Sequence, residues 1–260
     1  MQDSCMMDFE FVDGYLERID LPLIPSNDPD SLLLLQTNHV RHVPFENLDI
    51  IAGKGPLSLN IDDLWDKIVR RHRGGICYEQ NILFANVLER LGFSVRRMAG
   101  HHPLSGTNEF DHMFLLVDFP KRNETWISDV GFGNNIFAPV KFELGRWQSD
   151  LRDMLRLDTL GYDVYDLVRR DSFGEEEVMY EFNMRDHRDE DYQPRCDYFS
   201  TSPDSFFNQG PIVSIDAIGG RMTLTENNLH FWVDGEERTL EIRDEEHRAK
   251  ILAEEFGIVL

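Results

Sequence analysis

The spacing of apolar residues along the chain changes at about Gly92. Before this point apolar positions recur three and four residues apart, as on one face of an α-helix. Asp28 and Pro29 suit the N-cap and the first position of one such helix. The pattern predicts four helices, in DFEFVDGYLERI from Asp8, DPDSLLLLQTNHVRHV from Asp28, NIDDLWDKIVRR from Asn60, and a segment that begins near Cys77 and stops at Gly92.

After Gly92 the apolar residues alternate with polar ones and are separated by turn residues, which is typical of strands. The charged stretch MRDHRDEDYQPR is interpreted as a solvated surface crossover. Strands are predicted in SVRRMAGHH, DHMFLLVDF, ETWISDVGF, GYDVYDLVRR and EVMYEFNM.

From about Asp197 the pattern is mixed. It predicts a short helix or turn around STSPDSFF, then the strands PIVSIDAI, RMTLTEN, LHFWVDG and ERTLEIR, and a closing helix DEEHRAKILAEEFG. The chain therefore divides into a helical part (1–91), a mostly β part (92–196) and a mixed part (197–260).

Composition and charge exclude several classes of function. With 260 residues, 41% of them hydrophobic, the chain can bury a sizeable core. A formal charge of −22 makes nucleic acid a poor partner. The longest apolar run near the start is far too short for a membrane span, and the opening residues do not resemble a signal peptide, so a cytoplasmic location is expected. Three widely spaced cysteines, Cys5, Cys77 and Cys196, favour a reducing compartment over a disulfide framework.

The segment HRGGICYEQN places two glycines and, one residue later, a lone cysteine at the start of a helix-forming stretch. The glycines are expected to let the backbone turn tightly into the helix. Cys77 would then lie at a helix N-terminus, where free N–H groups and the helix dipole favour thiolate over thiol. The alternative is a small buried hydrophobic residue.

A thiolate nucleophile needs a histidine oriented by a carboxylate. His112 opens one predicted strand and Asp129 lies in the next. If the strands form a hairpin that pairs Asp118 with Asn123, His112 lies directly opposite Asp129, with Cβ atoms about 5 Å apart. A register slip of one residue would put them on opposite faces. Alternatively, His112 only ends a strand and Asp129 binds its own turn.

Metal and phosphate motifs are weak. His101 and His102 are adjacent and would point apart on a strand, and neither a paired C-x-x-C nor H-E-x-x-H occurs, so no metal is expected. The GFG of residues 131–133 lacks the lysine or third glycine of a phosphate-binding loop.

Four blocks together resemble the arylamine N-acetyltransferase family. RGGICYEQN is similar to its cysteine signature, with Ile76 where an aromatic residue is common, and VPFENLDI is similar to its P-F-E-N-L block. DHMFLLVD followed by WISDVGFGN resembles its histidine strand and D-V-G-F-G block, and CDYFSTSPDSFF resembles the segment before its last subdomain. The blocks span residues 43–207 in the family's order.

The resemblance implies an α+β fold in three parts: an N-terminal helical bundle, a central β-barrel-like subdomain and a C-terminal α/β lid. It also implies a papain- or transglutaminase-like core of Cys77, His112 and Asp129. The implied reaction is a double displacement through a cysteine thioester, from acetyl-coenzyme A to arylamines, arylhydrazines and N-hydroxyarylamines, without a metal. In it Cys77 is the nucleophile, His112 the base, and Asp129 orients the histidine.

The resemblance also implies binding residues. Phe45 and Phe132 would line the aromatic acceptor pocket, and ordinary core packing is the alternative for both. Gly131 and Gly133 would let a loop approach coenzyme A closely, and Ser200, Thr201 and Ser205 would donate hydroxyl hydrogen bonds to its pantetheine or phosphates. A turn and a helix cap are the alternative roles of these residues.

Two other functions stay open from the sequence. A transglutaminase-like or peptidase-like hydrolase would use the same triad, and a binding protein could keep the fold without catalysis. The presence of Cys77, His112 and Asp129 together weighs against the second. The preferred acceptor and the oligomeric state do not follow from the sequence.

Overall fold

The computed structural model describes residues 2–103, 110–134, 136–171, 173–217, 220–233 and 236–260, with side chains except those of residues 2–8 and 233. Helices form where the three- and four-residue spacing predicts them. Asp28 caps its helix by accepting a hydrogen bond from the Ser31 amide over 2.8 Å. The helices of the first part are α1 (Gln2–Arg18), α2 (Pro29–His42), α3 (Leu48–Ile51), α4 (Ile61–Trp65) and α5 (Cys77–Arg90).

The third predicted helix is only partly α-helical. After α4 the chain continues as a π-helical turn, Asp66–Arg70, in which the Arg71 amide donates to the main-chain oxygen of Asp66. Three consecutive residues of this wider turn are buried: Lys67, Ile68 and Val69. Consecutive residues of an α-helix would point in different directions, and one buried face would not include all three.

The middle of the chain forms an eight-stranded antiparallel sheet in the order β5-β4-β3-β2-β9-β8-β7-β6. Its two edge strands approach each other, because the Lys141 amide donates to the side chain of Gln148 and that side chain donates back to the Lys141 carbonyl. The sheet is therefore a nearly closed barrel. Its strands are β2 (Ser94–His101), β3 (His112–Phe119), β4 (Glu124–Ser128), β5 (Val140–Lys141), β6 (Gln148–Ser149), β7 (Met154–Gly161), β8 (Val164–Arg170) and β9 (Glu176–Asn183).

A second, five-stranded antiparallel sheet joins one short strand of the first part of the chain to four strands of the last part. Its order is β1-β10-β11-β12-β13, and Phe45 of the first strand pairs with Ser214. Its strands are β1 (Phe45–Glu46), β10 (Val213–Ala217), β11 (Gly220–Leu224), β12 (Asn228–Val233) and β13 (Glu236–Glu241), and the remaining helices are α6 (Gln193–Thr201) and α7 (Glu245–Glu255).

Two expectations about the middle of the chain were wrong in part. Strand β7 was missed, although Leu155 and Leu157 alternate with Arg156 and Asp158 as the residues of a half-buried strand do. The charged stretch is not wholly solvated: Tyr192 is fully buried against the helical core, in a 3₁₀ turn that leads into α6. A single apolar side chain in a charged run is too weak a signal to predict burial.

The core consists of three clusters of buried apolar side chains. The largest lies among the helices, the second inside the barrel, and the third between the five-stranded sheet and α7. The α+β fold with a barrel-like middle is confirmed. The boundaries at 91/92 and 196/197 stay a prediction.

In the described part of the chain, no helix has the length and apolar character needed to cross a membrane.

Candidate active site

Cys77 is the first residue of α5, at the helix N-terminus where the sequence predicts it. The two preceding glycines are needed for close packing, not for the turn itself. A Cβ on Gly74 would overlap the Pro44 carbonyl, and a Cβ on Gly75 would lie 2.6 Å from Oε2 of Glu79. The left-handed backbone in this turn belongs to His72, at φ 52°. The glycines therefore allow the turn to lie against its neighbours.

Gly131 packs directly on the cysteine. A Cβ on Gly131 would lie 2.7 Å from Cα of Cys77 and 2.6 Å from the side-chain nitrogen Nδ2 of Asn81. Only a glycine lets the loop after β4 approach the start of α5 this closely. The structure thus places Gly131 behind the candidate nucleophile.

His112 and Asp129 are in direct contact. Nε2 of His112 lies 2.6 Å from Oδ2 of Asp129, and both side chains are buried. The hydrogen bond to Asp129 occupies Nε2, and Cys77 is a further neighbour that raises the pKa of the His112 side chain. The structure therefore brings the three predicted residues together.

The predicted hairpin register was wrong by two residues. Asp118 pairs with Thr125, not with Asn123, and β4 ends at Ser128, before Asp129. The cause is the connection, a 3₁₀ turn closed by Asn123 in the left-handed conformation at φ 51°. Since side chains alternate with a period of two, this shift keeps the predicted face.

The Asp129 carboxylate is held by further donors that sequence reasoning missed. Its Oδ1 accepts from the Asn81 side chain over 3.0 Å and from the Gly131 amide over 2.9 Å. The side-chain oxygen of Gln36 accepts a hydrogen bond from the Ser128 hydroxyl over 2.7 Å and a longer one, at 3.3 Å, from the Asp129 main-chain amide. The position of Asn81, one helical turn after Cys77 on the predicted α5, was the only sequence signal for it.

The surroundings of His112 favour its protonated form. Burial alone lowers the pKa of His112, but the charge and hydrogen bond of Asp129, together with Cys77, raise it to about 10. The ring is flanked by Phe132, edge-on at 5.1 Å between centroids, and by Tyr180 at 5.0 Å. The histidine is thus a buried imidazolium next to the cysteine.

Both predicted aromatic residues lie beside this group. Phe132 is half-buried against His112. Phe45 is buried, and a Cβ on Gly133 would lie 3.1 Å from its ring. Phe207 also lies beside Phe45, with 6.0 Å between ring centroids. An aromatic wall therefore adjoins the loop after β4.

The three predicted hydroxyl donors are engaged with the main chain. Ser200 donates to the Cys196 carbonyl, Thr201 to that of Asp197, and Ser205 to that of Phe199. Their hydroxyl protons are therefore used within the protein, and contact with coenzyme A stays a prediction for them, as it does for Gly131 and Gly133.

Among the described residues there is no group of three or more histidine, cysteine, aspartate or glutamate side chains arranged to hold an ion.

Comparison with known proteins extends over nearly the whole chain. A model of the N-acetyltransferase family matches residues 28–260. An arylamine N-acetyltransferase of Mycolicibacterium smegmatis is 32% identical over 256 residues, which cover 95% of this chain and 91% of the relative.

Solved structures show the same similarity. The structure of Mycobacterium marinum arylamine N-acetyltransferase has a TM-score of 0.89 at 33% identity, covering 95% of this chain and 92% of that one. A structure of the M. marinum protein in complex with CoA has a TM-score of 0.88 at 32% identity and the same coverage.

Proposed function

Because this chain belongs to the arylamine N-acetyltransferase family, whose co-substrate is acetyl-coenzyme A, we propose that it carries the acetyl group as a thioester on Cys77. The observation that supports this mechanism most strongly is the buried pair of His112 and Asp129, hydrogen-bonded over 2.6 Å, with Cys77 near enough to raise the pKa of the histidine. The order of these groups is that of a nucleophile, its base and the group that orients the base.

In the first half-reaction the Cys77 thiolate attacks the carbonyl carbon of the acetyl thioester. The Sγ–C bond forms, the bond from that carbon to the sulfur of coenzyme A breaks, and the departing thiolate takes the proton from His112. The products are acetyl-Cys77, neutral His112 and free coenzyme A.

In the second half-reaction the acceptor amine attacks the acetyl-Cys77 carbonyl. His112 takes the proton that the amine nitrogen loses, the bond to Sγ breaks, and the thiolate–imidazolium pair is restored. Asp129 keeps Nε2 of the ring occupied, so that Nδ1 faces the reacting atoms in both steps.

The acceptors that we propose are arylamines, arylhydrazines and N-hydroxyarylamines. Their nitrogens are weakly basic and mostly uncharged at neutral pH, so the protein has to position them more than deprotonate them. Phe132 and Phe45 supply flat apolar surfaces beside the reacting group.

Steady-state kinetics with acetyl-coenzyme A and an arylhydrazine test this function against the alternatives. A double displacement gives parallel lines in double-reciprocal plots and one N-acetyl product for each coenzyme A released. Intersecting lines would contradict the thioester mechanism. Release of coenzyme A without an N-acetyl product would favour the thiol hydrolase, and no release would favour a binding protein.

A further inference from the structure

Five ionisable side chains form a buried ion network beneath the turn that presents Cys77. Arg73 lies 2.8 Å from Glu46 and 3.2 Å from Asp49, and Lys67 lies 3.2 Å from Asp49 and 2.7 Å from Glu79. All five residues are buried, each less than 10% exposed as a whole residue. Burying charged groups costs free energy that pairing only partly repays, so a buried network of five charges indicates a specific structural or functional role.

Glu79 connects the network to the main chain just before the cysteine. Its Oε1 accepts from Nζ of Lys67 over 2.7 Å, and its Oε2 accepts from the Ile76 amide over 3.0 Å. Gly75 packs on the same carboxylate, with room for no side chain of its own. One oxygen is thus fixed by Lys67 and the other fixes the residue that precedes Cys77.

Lys67 reaches this place through the π-helical turn. The wide turn of residues 66–70 buries Lys67 beside Ile68 and Val69, on the side that faces α3 and α5. Short π-helical turns occur often at functional sites. Lys54, which also contacts Asp49, lies on an ordinary exposed turn and is 61% exposed.

We infer that Lys67 and Glu79 are positioning residues for Cys77: the ion pair keeps the Glu79 carboxylate on the Ile76 amide, and this contact sets where the first turn of α5 presents the thiol. The inference rests on the proposed function, in which Cys77 is the nucleophile. A charged acceptor holds an N–H more strongly than a neutral one.

The charge of Glu79 depends on Lys67. Burial raises the pKa of Glu79, and Lys67 and the Ile76 amide oppose this rise. Lys67 is faced by Glu79 on α5, Glu46 on β1 and Asp49 on α3, which together raise its pKa although burial lowers it. Without Lys67, a carboxyl buried as deeply as that of Glu79 is expected to hold its proton at neutral pH.

Two substitutions of Glu79 isolate the contact with Ile76. Glu79→Gln and Glu79→Met both remove the charge that pairs with Lys67, but only glutamine keeps an oxygen to which the Ile76 amide can donate. We expect iodoacetamide to alkylate Cys77, located by peptide mapping, at least about tenfold more slowly in E79M than in E79Q. Equal rates in the two folded variants would overturn the inference.

The pH dependence of alkylation tests the role of Lys67. In Lys67→Met we expect slower alkylation than in the wild type at neutral pH and an added rise at higher pH, because Glu79 ionises there and the charged carboxylate holds the Ile76 amide more strongly than the neutral carboxyl does. In the double variant K67M/E79Q this rise should disappear, because no group is left to titrate there. A K67M profile parallel to the wild-type profile would overturn the inference, and so would a rise that persists in the double variant.

The controls separate this inference from the proposed function. Lys54→Met removes the exposed lysine from the same Asp49 and should leave the profile unchanged. In the described part of the chain, other titratable groups near Cys77 are His112 on β3, Tyr78 on α5, Tyr192 in the 3₁₀ turn and Cys196 on α6, and every variant keeps these four residues. Failure of acetyl transfer with a reactive wild-type Cys77 would contradict the proposed function alone, since alkylation needs no acetyl-coenzyme A.

Discussion

The side-chain amide of Asn81 donates both to Oδ1 of Asp129, over 3.0 Å, and to the carbonyl of Met113, over 2.7 Å. Met113 follows His112 on β3, and Asn81 lies on α5, whose first residue is Cys77. One helix therefore carries the candidate nucleophile and also fixes the histidine strand and the aspartate.

Replacing Asn81 should disturb all three residues at once. Asn81→Ala leaves buried polar groups of Asp129, Met113 and Val130 without their partner, so we expect a loss of about 1–3 kcal/mol in the free energy of unfolding and at least about tenfold slower acetyl transfer. Asn86→Ala, one and a half turns further along α5 and half-buried, is the matched control. Equal effects of the two substitutions would contradict this role of Asn81.

A methyl group on Gly131 should be poorly tolerated. Gly131→Ala places a Cβ within 2.7 Å of Cα of Cys77 and 2.6 Å of Asn81, so the loop must move away from α5. We expect about 1–3 kcal/mol of destabilisation from overpacking, measured by urea unfolding, and slower alkylation of Cys77. Gly210→Ala is the control, because its nearest neighbour would be 3.9 Å away. A G131A variant as stable and as reactive as G210A would refute the packing argument.

The stability of the protein should fall in mild acid partly because of His39. This side chain is fully buried between the Tyr15 hydroxyl, 2.6 Å from Nδ1, and Gln80, 2.9 Å from Nε2. Burial, Arg18 and His42 lower the pKa of His39 and the bond to Gln80 opposes them, which leaves it at about 3. Below about pH 6.5 the unfolded chain therefore binds a proton that the folded chain does not, which costs up to about 1.4 kcal/mol per pH unit.

Urea unfolding between about pH 7.5 and about pH 5 measures this effect. Over that pH range the free energy of unfolding should fall less in the His39→Gln variant than in the wild type, whatever the stability of the variant at about pH 7.5. The His42→Gln variant, which changes a half-buried histidine on the same helix, should keep the wild-type slope. A slope that is unchanged in H39Q would show that His39 does not carry the acid sensitivity.

Removing the charge of Asp129 should remove the imidazolium next to Cys77. In Asp129→Asn, burial is no longer opposed by that charge, so the pKa of His112 is expected to fall several units from about 10. We expect alkylation of Cys77 at about pH 6 to slow by about 100-fold or more. Asp118→Asn, at the other end of β3, should leave the rate unchanged, and a D129N variant as reactive as D118N would exclude this electrostatic role.

The sequence predicted most of the fold because its signals were local and repeated. The spacing of apolar residues located the helices of the first part, and Asp28 marked the start of α2. The register between β3 and β4 was not predictable in this way, since it depends on the 3₁₀ turn and the left-handed Asn123. The register error of two residues did not affect the predicted site, because a shift of two keeps His112 on the same face of the sheet.

The candidate triad followed from residue types and order, but the groups that hold it did not. Asn81, Gln36 and the Lys67–Glu79 pair act through contacts between elements far apart in sequence. Lys67 depends on a π-helical turn that the pattern of NIDDLWDKIVRR does not distinguish from an α-helix. The packing of Gly131 against Cys77 could not be predicted either, because it is a contact between two elements that are far apart in sequence.

Acetylation of the cysteine is the most direct test of the proposed mechanism. The protein is incubated with acetyl-coenzyme A in the absence of an amine, quenched in acid, and analysed by intact mass and peptide mapping. We expect one acetyl group on Cys77, which is lost when an arylamine or arylhydrazine is added and does not form in Cys77→Ala. An unmodified Cys77, or an acetyl group that the amine does not remove, would contradict the account.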